Sequence, residues 1–205
     1  MASVYIVDRS VYNVLMPITD IAISQIPGPR ERILLTAHEL FYREGIRATG
    51  IDRVIAESGV AKVTFYRHFP SKAELIREFL EYRHQLWMAW FVEALQRHGG
   101  GANALSPALA EWFSAQDFRG CAFINSVAEL GGSMPEVVEI ARRHKQEMTD
   151  VIERLLPASR KSKRTAQALA MTIDGAIIRA QYDETPAAAL LSLALILKPL
   201  LDASK

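Results

Sequence analysis

The sequence contains a single cysteine, Cys121, among its 205 residues. One cysteine cannot form an intrachain disulfide, which favours a reducing compartment, and together with five scattered histidines it supplies no zinc-binding set. No apolar run approaches the ~18 to 20 residues that are needed to cross a bilayer. Residues 1–26 lack the basic start and the small-residue cleavage site of a secretory signal. These absences predict a cytoplasmic protein without a membrane partner, a metal or a cofactor.

The charge balance gives no global reason to expect a nucleic-acid partner, because the net charge is only +1. Hydrophobic residues make up 50% of the chain, which is enough to bury a core in one or two small domains. Basic residues are enriched locally: between residues 28 and 73, eight Arg and Lys face five Asp and Glu. A nucleic-acid site is therefore expected in this segment.

Residues 45–75 predict two short helices that are joined by a tight turn. Thr49 is the predicted N-cap of the first helix, whose apolar residues recur at helical spacing. These apolar residues are Ile51, Val54 and Ile55. Gly59 ends this helix because glycine tolerates the left-handed conformation found at many helix ends. The second helix runs from Ala61 to about His68, and the pair has the pattern of a helix-turn-helix.

The second of these helices separates an apolar face from a basic one. Its predicted anchors are Val60, Phe65 and Phe69. Its predicted outward residues are Lys62, Thr64, Tyr66, Arg67 and His68. Cationic and hydroxyl side chains contact phosphates and base edges, and no carboxylate occurs between Val60 and Lys72. The pattern indicates a helix that is presented to the major groove of DNA.

From about Arg32 to Leu75 the sequence resembles the N-terminal domain of tetracycline-repressor-type (TetR family) transcriptional regulators. The shared pattern is G-x3-T-G-I-D-R-V-I-A-E-S-G-V-A-K-x-T-F-Y-R-H-F-x-S-K-x-x-L. Two departures are mild: Ala61 stands where serine is commoner, and Gly50 stands where a second threonine is frequent. The resemblance implies binding to double-stranded DNA.

The resemblance also assigns roles to single residues. The implied base contacts are Lys62 and Val63, with Arg67 placed between the base and phosphate sets. The implied phosphate contacts are Thr64, Tyr66, His68 and Lys72. The contacts expected at the start of the first helix are Thr49 and Gly50.

The predicted fold is all-α, with an N-terminal three-helix helix-turn-helix domain joined by a long helix to a helical ligand-binding and dimerisation domain. Residues 1–27 are expected to be a poorly ordered leader. The alternative is an arm that touches DNA, although Arg9 is its only cation. Residues 28–72 form the predicted DNA-binding domain, and residues 73–205 form the predicted ligand-binding and dimerisation domain.

Periodicity and capping signals predict the remaining helices. The long connecting helix begins after Ser71, which can form a capping box with Glu74, and reaches about Arg97. A Gly120-Cys121 pair resembles one that opens a helix in the ligand-binding domain of some members of the same family. The other predicted helices span about residues 30–44, 103–115, 135–156, 162–180 and 186–201.

The last predicted helix, residues 186–201, is apolar on nearly every side. A surface helix of a monomer needs only one apolar face, so this helix requires a second surface on which to be buried. We expect the last two helices to pair with their copies in a homodimer, through a two-fold, four-helix interface. Such a dimer would match a palindromic operator with half-sites about one turn, ~34 Å, apart.

Aromatic residues in the predicted larger domain favour a mostly apolar pocket for a small-molecule effector. The aromatic candidates are Trp87, Trp90, Phe91, Trp112, Phe113, Phe118 and Phe123. The polar candidates are Asn125, Glu129, Arg179 and Tyr182. An ordinary filled core is the alternative for each of them. An effector bound there is expected to lower operator affinity by changing the spacing of the two reading helices.

Cys121 is a second possible trigger, because it lies near a predicted helix start with Arg119 close by, where a thiol becomes more reactive towards electrophiles. A buried, unreactive cysteine is the alternative. Two other functions stay open. One is an enzyme with Cys121 as nucleophile and His98 or His144 as base, for which no surrounding signature exists. The other is an architectural DNA binder without an effector. The sequence favours a transcriptional regulator that is not an enzyme, and the family resemblance implies a repressor.

Overall fold

The computed structural model describes residues 27–202, and this range contains nine α-helices, one short 3-10 helix and no strand. The all-α prediction is confirmed. The predicted leader, residues 1–27, lies outside the described residues except for Pro27. The helices are α1 Pro29–Glu44, α2 Ile51–Ser58, α3 Lys62–His68, α4 Lys72–Arg97, α5 Leu105–Phe113, α6 Ala122–Leu130, α7 Pro135–Leu155, α8 Ser162–Tyr182 and α9 Ala187–Asp202.

Local signals set most helix boundaries where they were predicted. Pro29 occupies the first turn of α1, where its missing N–H has no helical partner to lose. Ser71 caps α4 by accepting a hydrogen bond from the Glu74 N–H at 3.1 Å. The Glu74 carboxylate pairs with Arg77, so only the Ser71 half of the predicted capping box forms. The helix predicted over residues 103–115 begins as the 3-10 helix Ala102–Ala104 and ends at Phe113.

The predicted N-cap of α2 is wrong. Gly50, with φ −80° and ψ 152°, is the N-cap, and α2 begins at Ile51. The Thr49 hydroxyl donates a hydrogen bond to the Gly45 carbonyl at 2.8 Å, and Thr49 is 0% exposed. Its side chain therefore stabilises the turn between α1 and α2 and takes no part in capping α2.

The first three helices and the start of α4 share one core. Helix α1 packs against α2, α3 and α4. Fully buried side chains come from all four helices, namely Ile33, Leu40, Val54, Phe65 and Leu75. Burying a side chain of this size contributes about 1.5 to 3 kcal/mol, so the short helices α2 and α3 are stabilised by tertiary packing and not by their own length.

Helix α4 connects this head to the larger body formed by α5 to α9. Its 26 residues give a length of roughly 40 Å. Its first half buries Leu75, Ile76 and Phe79 in the head, and its second half buries Trp87 and Phe91 in the body. In the body, α6 packs on α7, α7 on α8, and α8 on α9.

Helix α9 is apolar towards the body and towards solvent. Ala189, Leu193 and Leu197 are buried against the rest of the chain. Leu191 and Leu195, on the other side, are 70% and 76% exposed. The neighbouring helix α8, which packs against α9, also exposes apolar side chains, namely Met171, Ile178 and Tyr182. We call the exposed apolar residues of these two helices the α8–α9 face.

None of the helices within residues 27–202 is long and apolar enough to cross a membrane. The same residues contain no group of three or more His, Cys, Asp or Glu side chains placed to hold a metal ion.

Two histidines are buried in the cores and are predicted to make stability depend on pH. Burial and then the Arg83 charge lower the pKa of His38 to about 3, and burial and then the Lys145 charge lower the pKa of His144 to about 2. Both are neutral in the folded chain but take up a proton in the unfolded chain below pH ~6.5. The unfolded state then binds more protons, so the free energy of unfolding falls as the pH falls below ~6.5, by up to about 1.4 kcal/mol per histidine and pH unit.

Urea unfolding at pH 7, 6 and 5 and constant protein concentration measures this slope. We expect His144→Gln to reduce the slope, because it removes one of the two buried histidines. Equal slopes in His144→Gln and the wild type would contradict the assignment.

Candidate nucleic-acid interface

The turn between α2 and α3 depends on Gly59. This residue is the C-cap of α2 with φ +64° and ψ 32°, a left-handed conformation that costs L-residues with a side chain roughly 1 to 2 kcal/mol. Its N–H bonds to the Ala56 carbonyl at 3.3 Å. Arg32 of α1 donates from Nε to the Ser58 carbonyl at 3.2 Å and holds the turn against the head. The predicted helix-turn-helix geometry is therefore present.

Helix α3 is attached to the head by two phenylalanines. Phe65 and Phe69 are both 0% exposed, and their ring centroids lie 6.2 Å apart. The guanidinium of Arg30 lies over the Phe69 ring at 5.3 Å. Because α3 has only seven residues, these anchors determine which of its faces points away from the protein.

The outward face of α3 carries the side chains that the sequence predicted for DNA contacts. Val63 is 78% exposed and Tyr66 is 43% exposed. Lys62 and Arg67 are also exposed, whereas Thr64 and His68 are half-buried. Two cations, a phenol and an apolar side chain thus lie on one short helix, where they can reach phosphates and base edges.

Lys62 has a partner that the sequence did not reveal. Its Nζ lies 3.0 Å from Asp52 Oδ1, and both side chains are largely exposed. The hydrogen bond from Lys62 to the Asp52 carboxylate raises the pKa of Lys62. Asp52 belongs to α2, ten residues earlier, outside the carboxylate-free stretch that the sequence analysis considered. A bound phosphate would have to compete with this carboxylate for the lysine.

The remaining predicted DNA contacts, at residues 49, 50 and 72, lie outside α3. Thr49 is fully buried, so the prediction that its side chain contacts DNA is wrong, whereas Gly50 is exposed at the start of α2. The Lys72 ammonium donates to the Ile46 carbonyl at 2.6 Å and so ties α4 to the turn between α1 and α2. Burial lowers the pKa of Lys72, and the Glu129 charge acts against that shift. Its contact with a phosphate stays a prediction.

The aromatic residues predicted to surround a ligand pocket pack against one another. Trp87 stacks on Phe91 with centroids 4.7 Å apart and meets Trp112 at 5.5 Å. Further ring contacts join Trp90, Phe113 and Phe118 to this cluster, and Phe123 stacks on His144 at 3.7 Å. These distances are those of rings in contact, which favours the filled-core alternative for these residues. The buried Nε1 atoms of Trp87 and Trp112 have no hydrogen-bond partner among the described residues, and the contact of these residues with a ligand stays a prediction.

The predicted polar ligand contacts divide into two groups. Arg179 and Tyr182 lie at the exposed end of α8, where the guanidinium is 5.3 Å from the Tyr182 ring and Nε is 3.5 Å from Asp183. Asn125 and Glu129 of α6 line a cavity of about 200 Å³ between the head and the body. The other lining residues are Phe41, Tyr42, Arg43, Gly45, Phe79, Arg119, Ala122, Ser126 and Gln181. We call this space the joint cavity.

Sequence reasoning did not find the joint cavity because its walls come from α1, α4, α6 and α8. Tyr42 of α1 donates from its hydroxyl to the Gly120 carbonyl at 3.0 Å, and the same oxygen accepts from the Arg119 N–H at 3.1 Å. Tyr42 is more than seventy positions away from both of these partners, and no local sequence pattern indicates contacts at such a separation.

Cys121 lies at the start of a helix, as predicted; it is the N-cap of α6 and is 3% exposed. Burial lowers the pKa of the neighbouring Lys145, but the Cys121 sulfur and the Asp174 carboxylate together raise it by more, so that the pKa of Lys145 is raised overall. The histidines of the alternative enzyme have other partners: His98 pairs with Glu111 at 3.0 Å, and His144 with His84 at 3.1 Å. This arrangement gives Cys121 a cationic neighbour and supports no catalytic dyad.

Comparisons with known proteins agree with the geometry of the head. Residues 33–79 match the family described as "Bacterial regulatory proteins, tetR family". Over 54 residues the chain is 44% identical to the HTH-type transcriptional regulator YxaF of Bacillus subtilis, which covers 26% of this chain and 28% of that protein. Over 93 residues it is 34% identical to the HTH-type transcriptional regulator LmrA of the same organism, covering 43% and 49%. The matches therefore span less than half of these relatives.

Solved structures extend the likeness to the body. A TetR-family transcriptional regulator from Streptomyces coelicolor matches with a TM-score of 0.75 and 28% identity, over 86% of this chain and 95% of that one. The regulatory protein TetR from Rhodobacter sphaeroides matches with a TM-score of 0.71 over 84% and 98% of the two chains. At 20% identity, this second likeness concerns the fold alone.

The left-handed turn gives a test of the helix-turn-helix geometry. We expect Gly59→Ala to lower the free energy of unfolding by about 1 kcal/mol, because alanine is strained at this φ. Gly132→Ala is the matched control, since an added Cβ there meets nothing within 4 Å and its φ is not positive. Urea unfolding of both variants measures the difference. Equal midpoints for the two variants would show that the turn does not require glycine.

Proposed function

We propose that this chain, a member of the TetR family of bacterial regulatory proteins, is a sequence-specific DNA-binding transcriptional regulator. It acts as a homodimer on a palindromic operator and, as a repressor, is released by a small-molecule effector. A regulator that binds chromosomal DNA works in the cytoplasm.

One observation carries this proposal. Helix α3 buries Phe65 and Phe69 completely and presents Lys62, Tyr66 and Arg67 to solvent. An ordinary amphipathic helix of seven residues has no need for this combination of cations and a phenol beside a 78% exposed valine. All these side chains suit the major groove, where cations read guanine edges or phosphates and an apolar group can meet a thymine methyl.

The α8–α9 face supports the homodimer. Leu191, Leu195 and Met171 are each at least 70% exposed, and leaving such apolar side chains in water is unfavourable. A second copy of the same face would cover it with two-fold symmetry. The dimer would then place two copies of α3 about one turn of DNA, ~34 Å, apart, which fits an inverted repeat.

Release by an effector needs only a modest coupling between sites. A coupling free energy of about 1 to 3 kcal/mol lowers operator affinity roughly 5- to 150-fold. Helix α4 is suited to transmit it, because one continuous helix is buried in both the head and the body. Reaction of an electrophile at Cys121, beside Lys145, is the alternative trigger.

Selection of duplexes from a random pool with the full-length protein tests the function. We expect enrichment of an inverted repeat. We also expect the logarithm of the binding constant to fall linearly with the logarithm of the salt concentration, as counterion release requires. A pool that stays random would overturn the proposal. An architectural DNA binder would retain duplexes without sequence preference.

The Lys62–Asp52 pair generates a prediction about affinity. We expect Asp52→Asn to tighten operator binding about two- to fivefold, because it removes a carboxylate from the reading face and frees Lys62 for DNA. Lys62→Ala should weaken binding roughly tenfold. The matched controls are Glu139→Gln and Arg142→Ala, which break an exposed ion pair on α7. Fluorescence anisotropy with labelled operator measures the operator affinity of all four variants. Weaker binding by Asp52→Asn would refute the role of the Lys62–Asp52 pair.

The α8–α9 face generates a prediction about assembly. We expect Leu195→Glu to produce a folded monomer of 22.9 kDa, because the carboxylate would be buried in the interface of the dimer but is solvated in the monomer. Val92→Glu is the control, at an apolar residue of α4 that is 41% exposed elsewhere. Sedimentation equilibrium reads the mass directly. A dimeric Leu195→Glu protein would place the interface on another surface.

A further inference from the structure

The joint cavity lies where a bound molecule would touch both the head and the body. Phe41, Tyr42 and Gly45 line it from the head, and Asn125 and Glu129 line it from the body. Its volume of about 200 Å³ is below the ~300 to 1,000 Å³ of sites for drug-sized ligands. The cavity therefore suits a small molecule, and its lining offers both aromatic rings and polar groups.

Glu129 attaches the body to the head beside this cavity. Its carboxylate accepts hydrogen bonds from the Ile46 N–H at 3.2 Å and from the Arg47 N–H at 2.7 Å. Arg47 Nε also donates to the Glu129 main-chain carbonyl at 2.6 Å. Gly45 allows this approach, because a Cβ there would lie 3.3 Å from the carboxylate oxygen. We call these contacts the Glu129 clamp, and they fix the turn that leads directly into α2.

Of the two arginines that line the cavity, Arg43 is paired with Glu39 and Glu44, whereas Arg119 belongs to no ion pair among the described residues. Arg119 uses Nη1 on the main-chain carbonyls of Gln116 and Phe118, at 3.3 and 2.7 Å. Arg83, which is 3% exposed, lies against the other side of the lining residue Tyr42, with its guanidinium 4.0 Å from the ring. Among the described residues, neither Arg119 nor Arg83 belongs to an ion pair with a carboxylate.

Two carboxylates lie near these arginines. Burial raises the pKa of Asp117, and the charges of Arg83 and Arg119 act against that shift. Glu129, the carboxylate among the lining residues, is engaged by two main-chain N–H groups. Asp117 leaves its buried Oδ2 without a hydrogen-bond partner. The buried guanidinium of Arg83 belongs to no ion pair among the described residues, so a nearby anion would stabilise it, and the exposed Arg119 can face such an anion directly from the lining.

We propose that the joint cavity binds a small carboxylic acid with a flat apolar part, and that its binding releases the Glu129 clamp. The carboxylate faces Arg119 and the amide of Asn125, and the apolar part packs on Phe41, Tyr42 and Phe79. The charge of the ligand repels the Glu129 carboxylate across this small space, and its oxygens are alternative acceptors for the N–H groups of residues 46 and 47. This identification of the effector class and site rests on the proposed regulatory function.

Release of the clamp would act on DNA binding through the turn before α2. Residues 46 and 47 hold this turn to the end of α6, and Lys72 holds the start of α4 to the Ile46 carbonyl. Loss of the Glu129 contacts leaves the head attached through α4 and through the hydrogen bonds of Tyr42 to residues 119 and 120, so its orientation relative to the body is less restricted. A dimer with less defined head spacing binds two fixed half-sites more weakly.

Calorimetric titration of the full-length protein with benzoate, without DNA, tests the site. We expect saturable binding of benzoate and at least tenfold weaker binding of benzamide, which has a similar shape and no charge. Arg119→Gln should weaken benzoate at least tenfold, and the control Arg142→Gln on α7 should not. Glu129→Gln should bind benzoate at least as tightly as the wild type, because the repulsion is gone. Equal binding of benzoate and benzamide, or of benzoate to Arg119→Gln and the wild type, would overturn the assignment.

Operator titration in the presence of saturating benzoate tests the release. We expect the operator Kd of the wild type to rise at least fivefold, while Glu129→Gln loses most of this response. An unchanged Kd in the wild type, with benzoate bound, would overturn the release step. If no DNA sequence is bound at all, the proposed regulatory function fails, and the benzoate titration decides the site separately.

Discussion

The burial of one helix in two cores is the constraint on which the rest of the structure depends. Helix α4 fills the head with Leu75 and Phe79 and fills the body with Trp87 and Phe91. Each half costs several kcal/mol to expose, so neither end of α4 can leave its core without unfolding it. The head can therefore change its position only by bending around α4 or by losing secondary contacts. The Glu129 clamp is such a set of contacts, and it is weaker than a hydrophobic core.

Much of the fold was predictable because short-range physics determines helices. Apolar spacing, the Ser71 cap and the glycine at position 59 act within one or two turns, and all three predictions agree with the structure. The prediction that Thr49 caps α2 is wrong, because the hydroxyl of a threonine at a helix start has two possible hydrogen-bond partners. The Thr49 hydroxyl instead donates to the Gly45 carbonyl four residues earlier, and the position of that carbonyl depends on how α1 ends. Tertiary structure decided between two local hydrogen bonds of similar strength.

The candidate sites differ in how far sequence reasoning could reach. The outward face of α3 follows from the alternation of Phe65 and Phe69 with polar neighbours, and the structure exposes Lys62, Val63, Tyr66 and Arg67 as predicted. An abundance of aromatic residues cannot distinguish a cavity from a filled core, because the difference is the volume left after packing. In this chain the rings of Trp87 and Trp112 touch, and the cavity lies at the joint, where four helices from distant parts of the sequence meet.

The two ends of the molecule use charge in opposite settings, and this difference explains how a small ligand can influence a large interface. Lys62 and Asp52 lie in water, where an ion pair contributes about 1 kcal/mol or less and can be exchanged for a phosphate. Arg83 is 3% exposed, so a nearby anion interacts with it at a lower effective dielectric constant and is screened less by salt. In the proposed mechanism, one charge bound at the joint therefore provides the few kcal/mol that control operator binding, while the contacts of α3 are adjusted by ionic strength. The buried charge of Arg83 would then serve regulation of the head, and the solvated charges on α3 would serve recognition of DNA.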